Sequence, residues 1–270
     1  MDNQEIFSCF LSQKKEQMKI EKESPYYVGG EWEDIVKNSL PNLQKIIDYN
    51  FQDFFTIDHV AGPTEFIRHP YLSDRFSKYI KEDSVICEIG GGIGGVCYCI
   101  LSNYNPSKQI KYILFDIPEV LFMASCFLNL KLGEEYNIYC YDGEATKFDF
   151  KKVLEDHDLI LLPHYLIEQM PKNTLNCFIN TGSFCEMSKE ACKNYFSKIL
   201  NASKPSSTYC FEFRKKEELV AHTEVSPLKN EVYVDPLLYE CSHERGCNLK
   251  RISKQSSLSE PSYWEAIYEN

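Results

Sequence analysis

No stretch of the 270 residues approaches the roughly 18 apolar positions of a membrane-spanning helix, and no polybasic cluster is present to engage an anionic membrane surface. Basic residues are in deficit: 29 Lys and Arg stand against 40 Asp and Glu, a net charge of −11. Such a chain repels a phosphate backbone, so nucleic acid is not an expected partner. No Cys-x-x-Cys pair occurs among the twelve cysteines, which removes zinc-ribbon and thioredoxin-type readings. Cys87, Cys97, Cys99, Cys126, Cys140, Cys177 and Cys210 sit inside apolar patterns, where a reduced thiol packs as a small hydrophobe. Cys241, His243, Glu244 and Cys247 lie close together, but their spacing matches no standard zinc site, so no metal is expected. The opening residues are polar and acidic, and the apolar run at 6–11 is short and contains Ser8. A signal peptide is therefore not expected, and reduced cysteines in a cytoplasmic protein are. No internal repeat appears.

What is present falls into two parts. In residues 1–80, apolar positions such as Trp32, Ile35, Val36, Leu40, Leu43, Ile46 and Ile47 recur at helical spacing. Gly62-Pro63 marks a loop, Pro70 a second boundary, and 71–82 a further helix. This part is expected to be a helical cap. Residues 81–270 alternate between periods. β-rich runs at 84–89, 112–115, 136–141, 159–162, 175–180 and 208–213 are separated by helical stretches near 94–104, 118–131, 147–155, 164–170 and 188–201. That rhythm means parallel βαβ units, with ligand loops at the carboxyl ends of the strands. Residues 262–268 read as one more strand, inserted antiparallel. The expectation is an α/β fold with a Rossmann-like, mostly parallel sheet of seven strands. The polar stretch 214–258 is left unassigned.

The strongest motif is Val85-Ile86-Cys87-Glu88-Ile89-Gly90-Gly91-Gly92-Ile93-Gly94-Gly95, a buried strand running into a glycine turn and a helix. Gly90, Gly92 and Gly95 fit the dinucleotide fingerprint. Glu88, Gly90, Gly92 and Gly94 fit an acidic-x-G-x-G-x-G pattern instead. A carboxylate at Glu88 repels a pyrophosphate but tolerates a zwitterionic amino acid carrying a sulfonium, which favours S-adenosylmethionine over NAD. Asp116, with Ile117 beside it, closes the next strand 21 residues past Gly95. Its carboxylate suits ribose hydroxyls in either cofactor class; alternatively it caps the helix that Pro118 opens.

The Glu88–Gly95 run, Asp116-Ile117-Pro118-Glu119 and Phe178-Ile179-Asn180-Thr181-Gly182-Ser183-Phe184-Cys185-Glu186-Met187 together resemble the sugar O-methyltransferase family, class I methyltransferases associated with bacterial surface polysaccharides. The likeness covers roughly residues 84–200. It implies a methyl transfer from S-adenosylmethionine, bound through Glu88, Gly90, Gly91, Gly92, Gly94, Asp116 and Ile117, to a small-molecule or glycan hydroxyl. By the same likeness Asp142-Gly143 lies near the adenine; read alone, it is a turn closing a strand.

His164 follows the strand at 159–162, and in the class I arrangement that position faces the methyl group. A sugar hydroxyl must lose its proton as the new bond forms, and His suits that task; otherwise His164 is a solvent-facing residue at a helix start. Glu186 sits in the next strand's loop, where it can orient the His, hold acceptor hydroxyls or act as the base; it can also simply favour the following helix's dipole. His59, Arg68 and His69 stand at the loop-rich end of the cap and can reach the acceptor. The rival readings are an NAD-dependent oxidoreductase and a binding module that kept the fold without the chemistry.

Overall fold

The computed structural model describes residues 63–103, 109–143, 148–214, 234–257 and 263–270. Short runs of buried residues, continuous in the central parallel strands, build an eight-stranded sheet in the order β3-β4-β2-β1-β5-β6-β8-β7. The strands are β1 (Val85–Ile89), β2 (Lys111–Asp116), β3 (Ile138–Cys140), β4 (Leu159–Pro163), β5 (Leu175–Thr181), β6 (Ser203–Arg214), β7 (Lys250–Ser256) and β8 (Tyr263–Glu269). β1 to β6 run parallel, and β8 is antiparallel to both of its neighbours, β6 and β7. The expected seven strands thus become eight. The added one, β7, lies at the edge with exposed Lys250 and Arg251, and edge strands carry such charges against further pairing.

Helices cover both faces. On one lie α1 (Pro63–Ser77), α2 (Gly95–Asn103) and α3 (Pro118–Leu132); on the other α4 (Phe150–Asp156), α5 (Lys189–Ala202) and α6 (Val234–Glu244). Ile86, Tyr112, Leu114, Leu161 and Ile179 face the first layer, while Cys87, Ile89, Ile113, Leu162 and Phe178 face the second. Where α4 and α5 begin, Asp149 and Ser188 side chains accept from the N–H groups of Lys152 and Ala191.

α1 corrects the boundary expected at Pro70: the helix passes through it. An interior proline costs about 3 kcal/mol, whereas burying one large apolar side chain returns about 1.5–3 kcal/mol. Tyr71, Leu72 and Phe76 are all buried in the cluster that holds Val96, Cys97 and Ile100 of α2, so packing prevails. Two arginines on α1 reach the sheet seven residues apart. Arg68 pairs with Glu212, whose carboxylate lies 2.6 Å from Nη2, and Arg75 Nε pairs with Glu265 at 3.0 Å. Glu212 and Glu265 are opposite one another across β6 and β8, and both are buried. Like charges facing across a strand pair repel; an arginine on each offsets this.

Candidate active site

The carboxyl ends of β1, β2, β4, β5 and β6 and the start of β8 share one edge of the sheet. The turn after β1 is shaped by close approach. Gly90 has φ +69°, its N–H donates to Phe115 O at 2.8 Å, and a Cβ there would stand 2.3 Å from the Cβ of Ser183. At Gly95 a Cβ would meet the His69 ring at 2.1 Å, so α1 seats an imidazole against the first residue of α2. Gly92 faces open space on its Cα, and its N–H donates to Asp116 Oδ2 at 3.1 Å. Asp116 Oδ1 accepts from Ile117 N–H at 2.8 Å. The N-cap of α3 is Ile117, so the Asp116 carboxylate braces the glycine turn, and each oxygen keeps acceptor capacity toward a ligand hydroxyl. Burial raises the Asp116 pKa, offset by those two N–H groups and by His164.

Glu88 is fully buried. Oε2 accepts from Tyr112 Oη at 2.8 Å, and Oε1 has no hydrogen-bond partner among the described residues. Desolvation raises its pKa from 4.5 to about 7, opposed by the Tyr112 hydrogen bond, reinforced by Asp116 and opposed again by Arg68. A carboxyl raised on folding contributes stability that is complete below about pH 4.5 and is lost as pH climbs through about 7. That displacement corresponds to roughly 3 kcal/mol. The ligand-free melting temperature should therefore fall between pH 5 and pH 8, and Glu88→Gln should flatten the fall; thermal denaturation across that range measures both, and parallel curves would refute the assignment.

Beyond Asp116 a cleft of about 370 Å³ opens among Pro118, Phe122, Tyr141, Asp142, Pro163 and Tyr165, with Gly143 at its edge. Phe122 is 66% exposed and Tyr165 49%, so both aromatic side chains line the cleft with ring surface uncovered. The expected cofactor fits these groups. The cleft would suit a base, Asp116 a ribose, and the unpartnered Glu88 oxygen and open space at Gly92 an amino acid end.

β5, the neighbour of β1, carries the other wall. Asn180 Nδ2 donates to Ile89 O at 2.8 Å and to Ser183 Oγ, and its Oδ1 accepts from Phe184 N–H at 3.3 Å. Ser183 Oγ also donates to Ile89 O at 3.0 Å. The short 3-10 turn Ser183–Glu186 follows and leaves Glu186 exposed.

His164 departs from its expected place. Its strand, β4, pairs with β2, and Pro163 is opposite Asp116. The short β3 takes the edge beyond β4, so the strand before His164 lies two positions from β1. His164 therefore stands on the Asp116 side of the site, with Nδ1 buried and unpartnered among the described residues. Arg68 is turned toward Glu212 and Thr181 O, at 3.1 Å from the latter. His59 lies outside the described residues. Sequence reasoning missed Asn180, Ser183 and Tyr112. The three-residue spacing of Asn180 and Ser183 after an apolar strand was the available signal for the first two.

The strand order, with helices on both faces, defines an α/β fold built on a Rossmann-like, mostly parallel sheet. Residues 75–176 match the model of an O-methyltransferase domain. Among solved structures, the PH0226 protein from Pyrococcus horikoshii OT3 is similar with a TM-score of 0.55 at 10% identity, over 78% of this chain and 93% of that one. The pyocyanin biosynthetic protein PhzM is similar with a TM-score of 0.53 at 11% identity, over 77% of this chain and 56% of that one. A search of curated protein sequences finds no match. No helix among the described residues is long and apolar enough to cross a membrane.

Proposed function

We propose that this chain transfers a methyl group from S-adenosylmethionine to a sugar hydroxyl, with Glu186 as the base. The observation that carries the reading is the contact between the two loops: Ser183 lies against Gly90, so the turn ending in Glu186 borders the cofactor turn. The match of residues 75–176 to an O-methyltransferase domain supports the chemistry, and the likeness of the Asp116–Glu119 and Ser183–Met187 blocks to sugar O-methyltransferases supports the acceptor. The dinucleotide-binding fold repeats a parallel half-sheet, whereas β8 here is antiparallel between β6 and β7, which weighs against NAD.

Bound, the cofactor supplies an electrophilic methyl on a sulfonium. Glu88 and the glycine turn would hold its amino acid end, Asp116 its ribose, and Asp142 and the aromatic cleft its base. Glu186 would take the acceptor's hydroxyl proton while the oxygen–methyl bond formed, the methyl–sulfur bond broke and S-adenosylhomocysteine left as the neutral thioether. Positioning supplies much of the acceleration in such a displacement.

Calorimetry tests the cofactor. S-adenosylhomocysteine should bind and NAD⁺ should not. Asp116→Ala removes one or two hydrogen bonds to a charged group and should weaken the homocysteine ligand at least about tenfold. Tight NAD⁺ binding, or an Asp116→Ala protein that folds and binds unchanged, sinks the reading.

A further inference from the structure

We propose that Arg214 and Tyr263 form the anchoring subsite of the acceptor, and that the acceptor carries a carboxylate beside the hydroxyl that is methylated. The proposal rests on the methyl-transfer reading above. Arg214 ends β6, Tyr263 opens β8, and the two are opposite one another across the antiparallel pair. Both therefore stand at the sheet edge that holds the cofactor turn.

Their placement relative to that turn is fixed by contacts. A Cβ on Gly182 would lie 3.6 Å from the Tyr263 ring, and Gly182 directly precedes Ser183, which touches Gly90. The backbone N–H of Arg214 donates to Cys185 Sγ at 3.2 Å, tying the arginine to the turn that carries Glu186. Arg214 Nε donates to Tyr263 Oη at 3.3 Å, and the guanidinium carbon stands 5.6 Å from the ring centroid. The cation is thus held in one orientation beside the proposed base.

What it is held for follows from what it lacks. Arg68 and Arg75 each meet a buried carboxylate. Among the described residues, half-buried Arg214 forms no ion pair and its two Nη groups meet no acceptor; Glu186 acts on it by charge alone, without ion-pair contact. A planar guanidinium with both Nη groups open binds a carboxylate with two parallel hydrogen bonds. Tyr263 Oη, already accepting from Nε, keeps its proton for a second polar group of the same ligand. A hydroxy acid on a ring satisfies this pattern, and a uronic sugar and an aromatic hydroxy acid share the chemistry.

The test uses the full chain saturated with S-adenosylhomocysteine. Calorimetry compares methyl glucuronoside with methyl glucoside, and 3-hydroxybenzoate with 3-hydroxybenzyl alcohol. In at least one pair the carboxylated member should bind about tenfold to a hundredfold more tightly, the range for hydrogen bonds to a charged partner. The pair with the larger difference identifies the source. Arg214→Gln should erase the preference while leaving S-adenosylhomocysteine affinity within about threefold, which also reports folding, and Arg214→Lys should restore only part of it. Carboxylates that bind no better than their neutral partners, or a preference that survives Arg214→Gln, overturn the proposal. Labelled S-adenosylmethionine separates the two readings. Equal transfer to neutral and charged acceptors leaves the transferase standing and removes the subsite. Arg214-dependent carboxylate binding without transfer to any acceptor keeps the subsite and removes the chemistry.

Discussion

Glu186→Gln should lower methyl-transfer turnover by about 10²- to 10⁴-fold, the range for a lost general base, while S-adenosylhomocysteine affinity stays within about threefold. The split follows from location. Glu186 is exposed at the end of the turn that starts at Ser183, on the β5 side of Gly90, whereas the groups proposed to hold the cofactor lie on β1, β2 and the cleft beyond. His164→Ala should behave in the opposite manner. Its ring lies near Asp116, so cofactor affinity should drop and turnover at saturation should change little. Single-turnover kinetics with labelled cofactor read both variants. A Glu186→Gln protein with full turnover, alongside a His164→Ala protein that binds cofactor normally but does not react, returns the base to His164.

The second large effect concerns α1. Arg75→Met leaves Glu265 buried opposite Glu212 without its cation, and breaking a buried pair from one side costs about 3–5 kcal/mol. For a domain of this size the melting temperature should fall by on the order of 10 °C. Burial already raises the Glu265 pKa, against the pull of Tyr71 and Arg75. A raised carboxyl stabilises at low pH and loses that contribution as pH rises, so the deficit should shrink toward acid. Arg75→Met combined with Glu265→Met should recover much of the loss, since an apolar pair removes the stranded charge. Thermal denaturation of both variants from pH 5 to 8 decides it, and a single variant as stable as the parent at pH 8 would show the pair to be idle.

The order of strands and helices through β6 was legible because alternation and helical spacing are local. Their neighbours in the sheet were not. Nothing near His164 tells whether its strand lies beside β1 or beyond β2; that depends on β3, three residues long, taking the edge. β7 was hidden because Lys-Arg-Ile-Ser-Lys-Gln-Ser has the composition of a solvated loop, and an edge strand tolerates it. The turn between β1 and α2 was readable because its glycines are consecutive in sequence, and Asp116 because it closes the next apolar strand. Arg68 was read as an acceptor contact because its carboxylate, Glu212, sits in a strand far along the chain, where an acidic residue looks solvent-facing until α1 covers it.

The Ser183–Ile89 and Asn180–Ile89 hydrogen bonds and the fit of Ser183 against Gly90 join the two halves of the site. A ligand that shifts the β1 turn must also shift the turn bearing Glu186, so occupancy of one half alters the free energy of filling the other. Linkage makes that effect mutual: whatever factor the cofactor adds to acceptor affinity, the acceptor adds to cofactor affinity. With Ser183 replaced by Gly, only the Asn180–Ile89 hydrogen bond would remain of that link, and the mutual factor should shrink.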